Sequence, residues 1–221
     1  MRIRIPSNVP AQDAVALQER LAPLVTERSD LPHNLSGLVG CDATYFDGST
    51  VAAATLVDYG DLHLIRTNLI RERTRFPYVP GLLAFREGPA VLRAVRALRT
   101  KSYVCLVDAH GVAHPRRFGL ACYVGLALNR PTIGVAKSLL CGIINESNVL
   151  DHEGRKMAEI ISLPNSKRVI YVSVGHKVSL KDAVKIVKRC LTTRGPIPIS
   201  LAHDQVTKRK WEIKKSNPAS S

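Results

Sequence analysis

Two aspartates follow apolar runs that have the length of short strands. Asp42 closes the run GLVGCD, and Asp108 closes YVCLVD. Either residue alone would also suit a turn or a helix cap, which are common places for aspartate. Two such acids at the ends of neighbouring strands would converge, and Glu87, in a helix-like segment, is a candidate third. Converging carboxylates repel one another unless a proton or a cation lies between them, and their oxygens suit Mg²⁺ or Mn²⁺.

Basic side chains stand close to these acids along the sequence. The segment AHGVAHPRRFG follows Asp108 and contains His114, Arg116 and Arg117, and Lys137 follows the apolar run TIGVA. A cation beside a phosphate polarises it for attack, and such a phosphate needs positively charged donors. The alternative, a solvated basic loop and an exposed lysine, stays open on these residues alone.

The stretch RFPYVPGLLAFREGP places Tyr78 between two prolines. Pro77 and Pro80 restrict the backbone, and Gly81 lets another chain approach closely. A stiff aromatic ring held in this way is able to enter a base stack in place of a removed base, as apolar wedges do. We call residues 77–81 the wedge loop. The alternative is a proline-flanked loop whose side chains pack into the core.

The elements that must position these residues begin with a helix and an antiparallel meander. Apolar residues at helical spacing, from Ala14 to Leu24, predict the helix. Three strands follow, at about residues 38–41, 51–57 and 62–71, with FDGS as a hairpin turn between the first two. Helical periodicity then covers 81–100, with a predicted break at Gly88 and Pro89.

The second half of the chain alternates between buried strands and helices. Strands are predicted at 103–107, 131–136, 157–163 and 169–174, and helices at 119–129, at 181–191 and around His203. This order predicts an α/β fold in which helices cover both faces of a mixed sheet. In such sheets the site lies beyond the carboxyl ends of the central strands.

Length and charge limit the class of protein. The 221 residues suit a single domain over residues 1–221, with a basic, flexible tail from about residue 208. The net charge of +14 predicts a polyanionic partner such as nucleic acid. Since no segment reads as a signal peptide or a membrane span, and the five cysteines are scattered, we expect a cytoplasmic protein without a membrane partner. We also expect a monomer.

Several motifs resemble those of the endonuclease V family. They are GCDATY, FPYVPGLLAFREGPA, VDAHGVAHPRRFGLA, PTIGVAKSLLCG and LAHDQVTK, in family order over most of the chain. The resemblance implies a ribonuclease H-like fold and a nuclease with Mg²⁺ as cofactor and Mn²⁺ as a substitute. It also implies a DNA repair activity that recognises hypoxanthine, as deoxyinosine or inosine, and nicks the same strand on its 3′ side, one nucleotide beyond the base.

The resemblance assigns roles to single residues. Asp42, Glu87 and Asp108 match the metal site, and Lys137 and His203 match the other catalytic positions. Contacts with the nucleic acid and the extruded base are expected from Tyr78, Pro80, Gly81, Leu83, Gly111, His114, Arg116, Arg117, Leu120 and Leu140. Ala109 departs from the family pattern, which has glycine there, and its methyl group is expected to crowd the base pocket or disturb the backbone.

Two alternatives remain beside this interpretation. One is another ribonuclease H-like nuclease, either junction-resolving or a general ribonuclease. The wedge loop followed by FRE argues against it, because such enzymes need no pocket for one base. The other is a non-catalytic nucleic-acid binder, which charge alone would support. Three acids at strand ends argue against a binder, because they repel phosphate unless a metal is bound.

Overall fold

The computed structural model describes residues 5–6 and 9–216. The α-helices in this part of the chain are α1 (Ala11–Leu21), α2 (Leu83–Ala97), α3 (Leu120–Leu128), α4 (Leu180–Arg189) and α5 (Ile197–Ser216), and a short 3₁₀ helix (Ala22–Leu24) follows α1. Strands β1 to β5 are Gly37–Phe46, Ser49–Asp58, Leu64–Arg73, Tyr103–Val107 and Thr132–Ala136. Strands β6 to β11 are Ile143–Asn145, Asn148–Leu150, Lys156–Ser162, Val169–His176, Leu191–Thr192 and Gly195–Pro196. Each predicted strand and helix is present in the predicted order, whereas β6, β7, β10 and β11 were not predicted.

Nine of the described strands form one mixed sheet, in the order β3-β2-β1-β4-β5-β9-β8-β7-β6. Strands β1 to β3 form the predicted antiparallel meander, whereas β4 runs parallel to both β1 and β5, and β5 pairs antiparallel with β9. Every residue of β4 and β5 is buried, which is why their sequences are almost continuously apolar. The mixed sheet predicted from the sequence is confirmed.

Helices cover both faces of this sheet because successive side chains of a strand point to opposite faces. In β2, Ala52 and Ala54 belong to the main core, to which α2 and α3 contribute. The intervening Val51 and Ala53 pack against α5 in a second, smaller core. Helix α5 therefore lies on the face opposite α2. None of the described helices is both long enough and apolar enough to cross a lipid bilayer.

Strand β1 is longer than its apolar run predicts. Its second half continues past Asp42 to Phe46 and pairs with β2 around a tight turn. Asp47 and Gly48 of this turn have φ angles of 49° and 66°, as in a type I′ hairpin. The prediction that Asp42 ends the strand is therefore wrong, because only the parallel pairing with β4 stops there.

Helix α2 runs through Gly88 and Pro89 without the predicted break. A proline inside a helix removes one backbone hydrogen bond, but α2 is buried on both sides of it, at Phe85 and Val91. A Cβ atom at Gly88 would lie 2.4 Å from the Tyr123 ring of α3, so glycine lets the two helices approach closely. Packing between the helices thus outweighs the local preference for a break.

The C-terminal segment is helical further along than its composition predicts. The sequence predicts a tail from about residue 208, but α5 continues to Ser216. The buried Ile213 packs in the second core and anchors this part of the helix. Residues 217–221 of the predicted tail lie outside the described residues.

Candidate active site

The first half of β1 and the whole of β4 end side by side. Their parallel register closes with Cys41 opposite Val107, so Asp42 and Asp108 are the next residues on the two strands. The Asp108 amide donates a hydrogen bond to the Cys41 carbonyl at 2.9 Å and holds the two chains together at this point. The backbone thus brings the two acids to one place.

A histidine and a lysine complete this acid cluster. His203, from α5, has its Nδ1 atom 2.8 Å from Asp42 Oδ2. Lys137, directly after β5, has its Nζ atom 2.5 Å from Asp108 Oδ2. One possible ligand atom from each of Asp42, Asp108 and His203 lies within 4.8 Å of the others, which is close enough to hold a metal ion. The structure therefore gathers residues from β1, β4, β5 and α5.

Glu87, in α2, interacts electrostatically with the two acids of this cluster. Burial raises its pKa to about 8, the charges of Asp42 and Asp108 add to the rise, and Arg86 opposes it. Burial and the charge of Asp108 also raise the pKa of Asp42, against the hydrogen bond with His203. Burial and mutual repulsion therefore disfavour the ionised forms of Glu87 and Asp42 at this end of the sheet.

This set of donors fits a hard divalent cation. Mg²⁺ and Mn²⁺ prefer carboxylate oxygens, and Mn²⁺ also accepts an imidazole nitrogen. A bound cation would favour the ionised carboxylates and reverse the rise in their pKa values. The residues that could hold such a metal are Asp42, Asp108 and His203, with Glu87 near them but outside the group whose atoms lie within 4.8 Å.

A cavity of about 200 Å³ adjoins the acid cluster. Its lining includes the predicted base-binding residues Tyr78, Pro80, Gly81, Leu83, His114, Leu120 and Leu140. Tyr78 is 72% exposed, so its ring is not part of the core. Ala109 and Ser138, which directly follow Asp108 and Lys137, also line the cavity. We call this space the base cavity, and most of the predicted base-binding residues surround it.

Two residues after β4, Gly111 and Ala109, bear on the prediction of a base pocket. Gly111 does not line the base cavity, and a Cβ atom there would lie 2.0 Å from the Val174 carbonyl, so this glycine permits close packing on β9. Ala109 is 8% exposed and forms part of the cavity wall. Its φ angle is not positive, so alanine is accommodated there without backbone strain.

The two arginines of the HPRRFG segment are engaged within the protein. Arg116 donates through Nε to Gln18 Oε1 at 2.6 Å and through Nη2 to the Gly81 carbonyl at 3.0 Å. Arg117 forms an ion pair with Glu27 at 2.6 Å and does not line the base cavity. Their contacts with nucleic acid stay a prediction.

Gln18, from α1, is a residue that the sequence reasoning missed. It is fully buried, and its amide group donates to the Gly81 carbonyl at 3.0 Å. His114 Nε2 lies 3.0 Å from the same carbonyl, and its Nδ1 accepts the Arg116 amide, so Nε2 carries the hydrogen. Burial and the Arg116 charge lower the pKa of His114 to about 4. Three donors thus hold the wedge loop at its glycine, and the helical spacing of Gln18 from the buried Ala14 is the local signal for its burial.

A second cavity, of about 390 Å³, contains the acid cluster and extends along α5. Beyond His203 its lining includes Thr207, Lys210, Trp211 and Lys214. The last three fall in the segment that the sequence predicts to be a tail. Their spacing of three or four residues from His203 onwards is the signal that one helix face presents them all.

Comparison with known proteins gives consistent matches. A family profile described as Endonuclease V matches residues 19–204. Endonuclease V of Desulfurococcus amylolyticus is 38% identical over 201 residues, which cover 86% of this chain and 91% of the relative. The crystal structure of endonuclease V from Streptomyces avermitilis has a TM-score of 0.86 at 31% identity and covers 97% of this chain and 100% of that chain.

A further solved structure carries nucleic acid. It is that of Ciona intestinalis endonuclease V in complex with a 24mer DNA containing an inosine followed by a ribo-adenosine. Its TM-score is 0.84 at 26% identity, and the match covers 91% of this chain and 98% of that chain. The similarity to these structures, together with the strand order, confirms the predicted ribonuclease H-like fold.

Proposed function

Because the family profile matches residues 19–204, the chain belongs to the endonuclease V family and is an endonuclease, and we propose that it cleaves nucleic acid at deaminated adenine. It recognises hypoxanthine, as deoxyinosine or inosine, and nicks the same strand on the 3′ side, one nucleotide beyond the lesion. On DNA this is a repair activity, and it requires a divalent cation, Mg²⁺ or Mn²⁺. Membership in this family sets aside the non-catalytic binder considered above.

The observation that carries this proposal is the junction between the acid cluster and the base cavity. Asp108 and Lys137 belong to the cluster, and the next residues, Ala109 and Ser138, line the cavity. Enzymes that inspect a base rotate it out of the stack into such a pocket. A strand whose extruded base occupies the cavity would bring a neighbouring phosphate to the acids. This arrangement supports cleavage beside the lesion rather than at it.

The acid cluster supplies what phosphodiester hydrolysis needs. Asp42, Asp108 and Glu87, with His203, would hold a divalent cation, which when bound polarises the phosphate and helps to generate hydroxide. Lys137 would neutralise and orient a phosphate oxygen. His203 has Nδ1 on Asp42, which leaves Nε2 for one of two roles: it would ligate the cation, or it would orient the attacking water and accept its proton.

The wedge loop would supply selectivity for an extruded base. Tyr78 is exposed, and its loop is held by two prolines and by the three donors at the Gly81 carbonyl. Such a ring is able to fill the gap that an extruded base leaves in the stack. The inosine-containing DNA bound to the Ciona intestinalis relative supports the proposed substrate class.

A nicking assay on a labelled duplex with a single inosine tests the proposal. With Mg²⁺ we expect one product, whose 3′ end lies one nucleotide beyond the lesion. A duplex of the same sequence with adenine should stay intact, and a chelator should abolish cleavage. Equal cleavage of both duplexes, or cleavage at scattered positions, would mean that the enzyme is a nuclease of another specificity.

The variant Asp108→Asn tests the role of the acid cluster. We expect it to lower the single-turnover rate by more than about 100-fold, because the cation would lose a ligand next to the phosphate. Binding should change by less than about threefold, because basic groups provide most of the affinity. Asp13→Asn, at an exposed acid of α1, is the matched control. A near-normal rate for Asp108→Asn would remove this residue from the site.

A further inference from the structure

Helix α5 extends the acid cluster into a groove. Beyond His203, the side chains of Thr207, Lys210, Trp211 and Lys214 line the same cavity as the two acids. Because a helix rises by 1.5 Å per residue, the row from position 203 to position 214 is roughly 16 Å long. That length is enough to follow several nucleotides of one strand. We call the part of the cavity along this row the α5 groove.

Trp211 is an exposed aromatic residue on an anchored helix. It is 61% exposed, although the same stretch of α5 is fixed by the burial of Val206 and Ile213 in the second core. The Trp211 ring therefore adds little to the core. An indole ring that stands in solvent next to a phosphate site offers a stacking surface for a nucleic-acid base.

Two lysines flank this ring without a carboxylate partner among the described residues. The Nζ atoms of Lys210 and Lys214 lie 5.8 Å and 5.6 Å from the centre of the Phe46 ring, and Lys214 also lies 5.8 Å from the Trp211 ring. The neighbouring Arg209, in contrast, is paired with an acid of its own helix. The two ammonium groups are thus available to phosphates.

The acid cluster lies between the α5 groove and the base cavity. Asp108 and Lys137 line the same cavity as the α5 groove, and the residues that follow them line the base cavity. A strand that places its extruded base in the cavity and its scissile phosphate at the acids would continue into the groove. Since cleavage is proposed on the 3′ side of the lesion, the segment that enters the groove is the one beyond the cut.

We propose that Trp211 stacks on a base of the strand 3′ to the cleaved bond and that Lys210 and Lys214 contact the phosphates of this segment. The direction of the strand rests on the proposed function. The α5 groove is thus a binding site for the unpaired or loosened 3′ segment. Stacking is tolerant of sequence because every base has a flat face, so the groove would add affinity without reading sequence.

Tryptophan fluorescence tests this contact directly, because Trp211 is the only tryptophan of the chain. Two inosine-containing strands are compared, with Ca²⁺ in place of Mg²⁺ to prevent cleavage. One extends several nucleotides beyond the predicted cut, and the other ends at the cut. We expect the longer strand to quench the emission on binding and to bind about tenfold more tightly than the shorter one. Equal quenching by both strands, or none by either although both bind, would overturn the proposal.

Variants of the groove separate stacking from folding. Trp211→Ala should bind the longer strand about tenfold more weakly and the shorter strand as the wild type does, and Trp211→Phe should recover most of the loss. Lys210→Ala should also weaken binding of the longer strand. Its control is Lys185→Ala, because Lys185 is an exposed lysine of α4 outside both cavities. Unchanged binding of the longer strand by Trp211→Ala, in an enzyme whose wild type nicks inosine strands, contradicts this inference alone. A wild type that nicks no inosine strand contradicts the proposed function instead.

Discussion

At Glu87 the fold opposes ionisation of a single side chain. Burial, followed by the charges of Asp42 and Asp108, raises its pKa from the ordinary value of 4.5 to about 8. A divalent cation at the acid cluster would offset this repulsion and favour the ionised carboxylate. The stability of the metal-free protein should therefore depend on pH in a way that the metal-bound protein does not share.

We expect Glu87→Gln to stabilise the metal-free protein at alkaline pH. Because the folded-state pKa is raised, the folded protein binds more protons than the unfolded chain between pH 4.5 and about 8, and wild-type stability falls as pH rises through this range. Glutamine has no proton to lose, so in a chelator at about pH 8.5 the variant should have a Tm at least about 4 °C higher. The difference should shrink towards pH 4.5 and on addition of Mg²⁺.

Thermal unfolding across this pH range provides the measurement for Glu87→Gln. Glu19→Gln, at an exposed position of α1, is the matched control for loss of one carboxylate. A Tm difference that stays constant with pH would show that Glu87 ionises normally in the folded protein. In that case the carboxyl groups of Asp42, Glu87 and Asp108 do not share one electrostatic environment.

Tyr78 is expected to affect discrimination more than overall affinity. Its exposed ring contributes only when a base has left the stack, and such stacking is worth roughly 1–3 kcal/mol. Tyr78→Ala should therefore lower the ratio of affinities for inosine and adenine duplexes by about tenfold, and Tyr78→Phe should keep it. Competition binding in Ca²⁺ measures both affinities. A parallel fall in the two affinities would assign the ring to general contact with the duplex.

Between elements, the position of the wedge loop depends on a distant helix. The Gly81 carbonyl accepts hydrogen bonds from Gln18 of α1 and from His114 and Arg116 of the segment after β4. Gly81 itself has a φ angle of 78°, a conformation that glycine adopts at little cost. The loop that carries Tyr78 is thus fixed from two directions by a buried polar network.

Gln18→Leu should destabilise the fold and loosen the wedge loop. Leucine leaves the partly buried Arg116 guanidinium and two carbonyl groups with fewer partners, which costs about 2–4 kcal/mol of unfolding free energy. The folded fraction should lose discrimination between inosine and adenine duplexes and keep its affinity for the adenine duplex. Urea unfolding and competition binding measure the two effects, with Gln12→Leu, at an exposed glutamine of α1, as control. Lower stability with unchanged discrimination would make Gln18 a purely structural residue.

Element order could be predicted where burial leaves a continuous apolar signal, as in β4 and β5. The errors occur where tertiary contacts decide. Gly88 and Pro89 stay helical because α2 packs on Tyr123, and Asp42 lies inside a strand because β2 extends the hairpin. The short β6–β7 hairpin went unpredicted because three-residue strands in which only Val149 is buried resemble a loop.

In the site, too, the positions set by buried strands could be predicted, and those set by tertiary contacts could not. Asp108 and Lys137 follow buried strands directly, so the pattern alone places them at one edge of the sheet. Position 203 reaches this edge only because α5 packs on β1 and β2, which no local pattern reveals. The partner of Arg116 is Gln18, far away in the sequence, so no local pattern reveals that this arginine of the basic loop also donates a hydrogen bond within the protein.

Over the whole molecule, some basic side chains are engaged within the protein, and others are available to bind phosphates. The net charge is +14, but several arginines donate to backbone carbonyls or pair with acids, and so are partly engaged by the protein itself. Lys210 and Lys214 line the site beside the rings of Phe46 and Trp211, and neither forms an ion pair with a described residue. The general field should attract any polyanion, whereas a few lysines should make the phosphate contacts that depend on position.

Salt dependence separates these two contributions. Each phosphate contact that releases a counterion adds about one to the slope of log affinity against log salt. The double variant Lys210→Ala/Lys214→Ala should therefore reduce this slope by about two for an inosine strand that extends beyond the cut. Lys181→Ala/Lys185→Ala removes the same charge from α4, outside both cavities, and should leave the slope nearly unchanged.

Equal slopes for the two double variants would mean that affinity comes from the diffuse charge of the molecule. A selective loss in the first variant would instead identify the α5 face as the path of the phosphates, because net charge is identical in the two proteins and only its position differs.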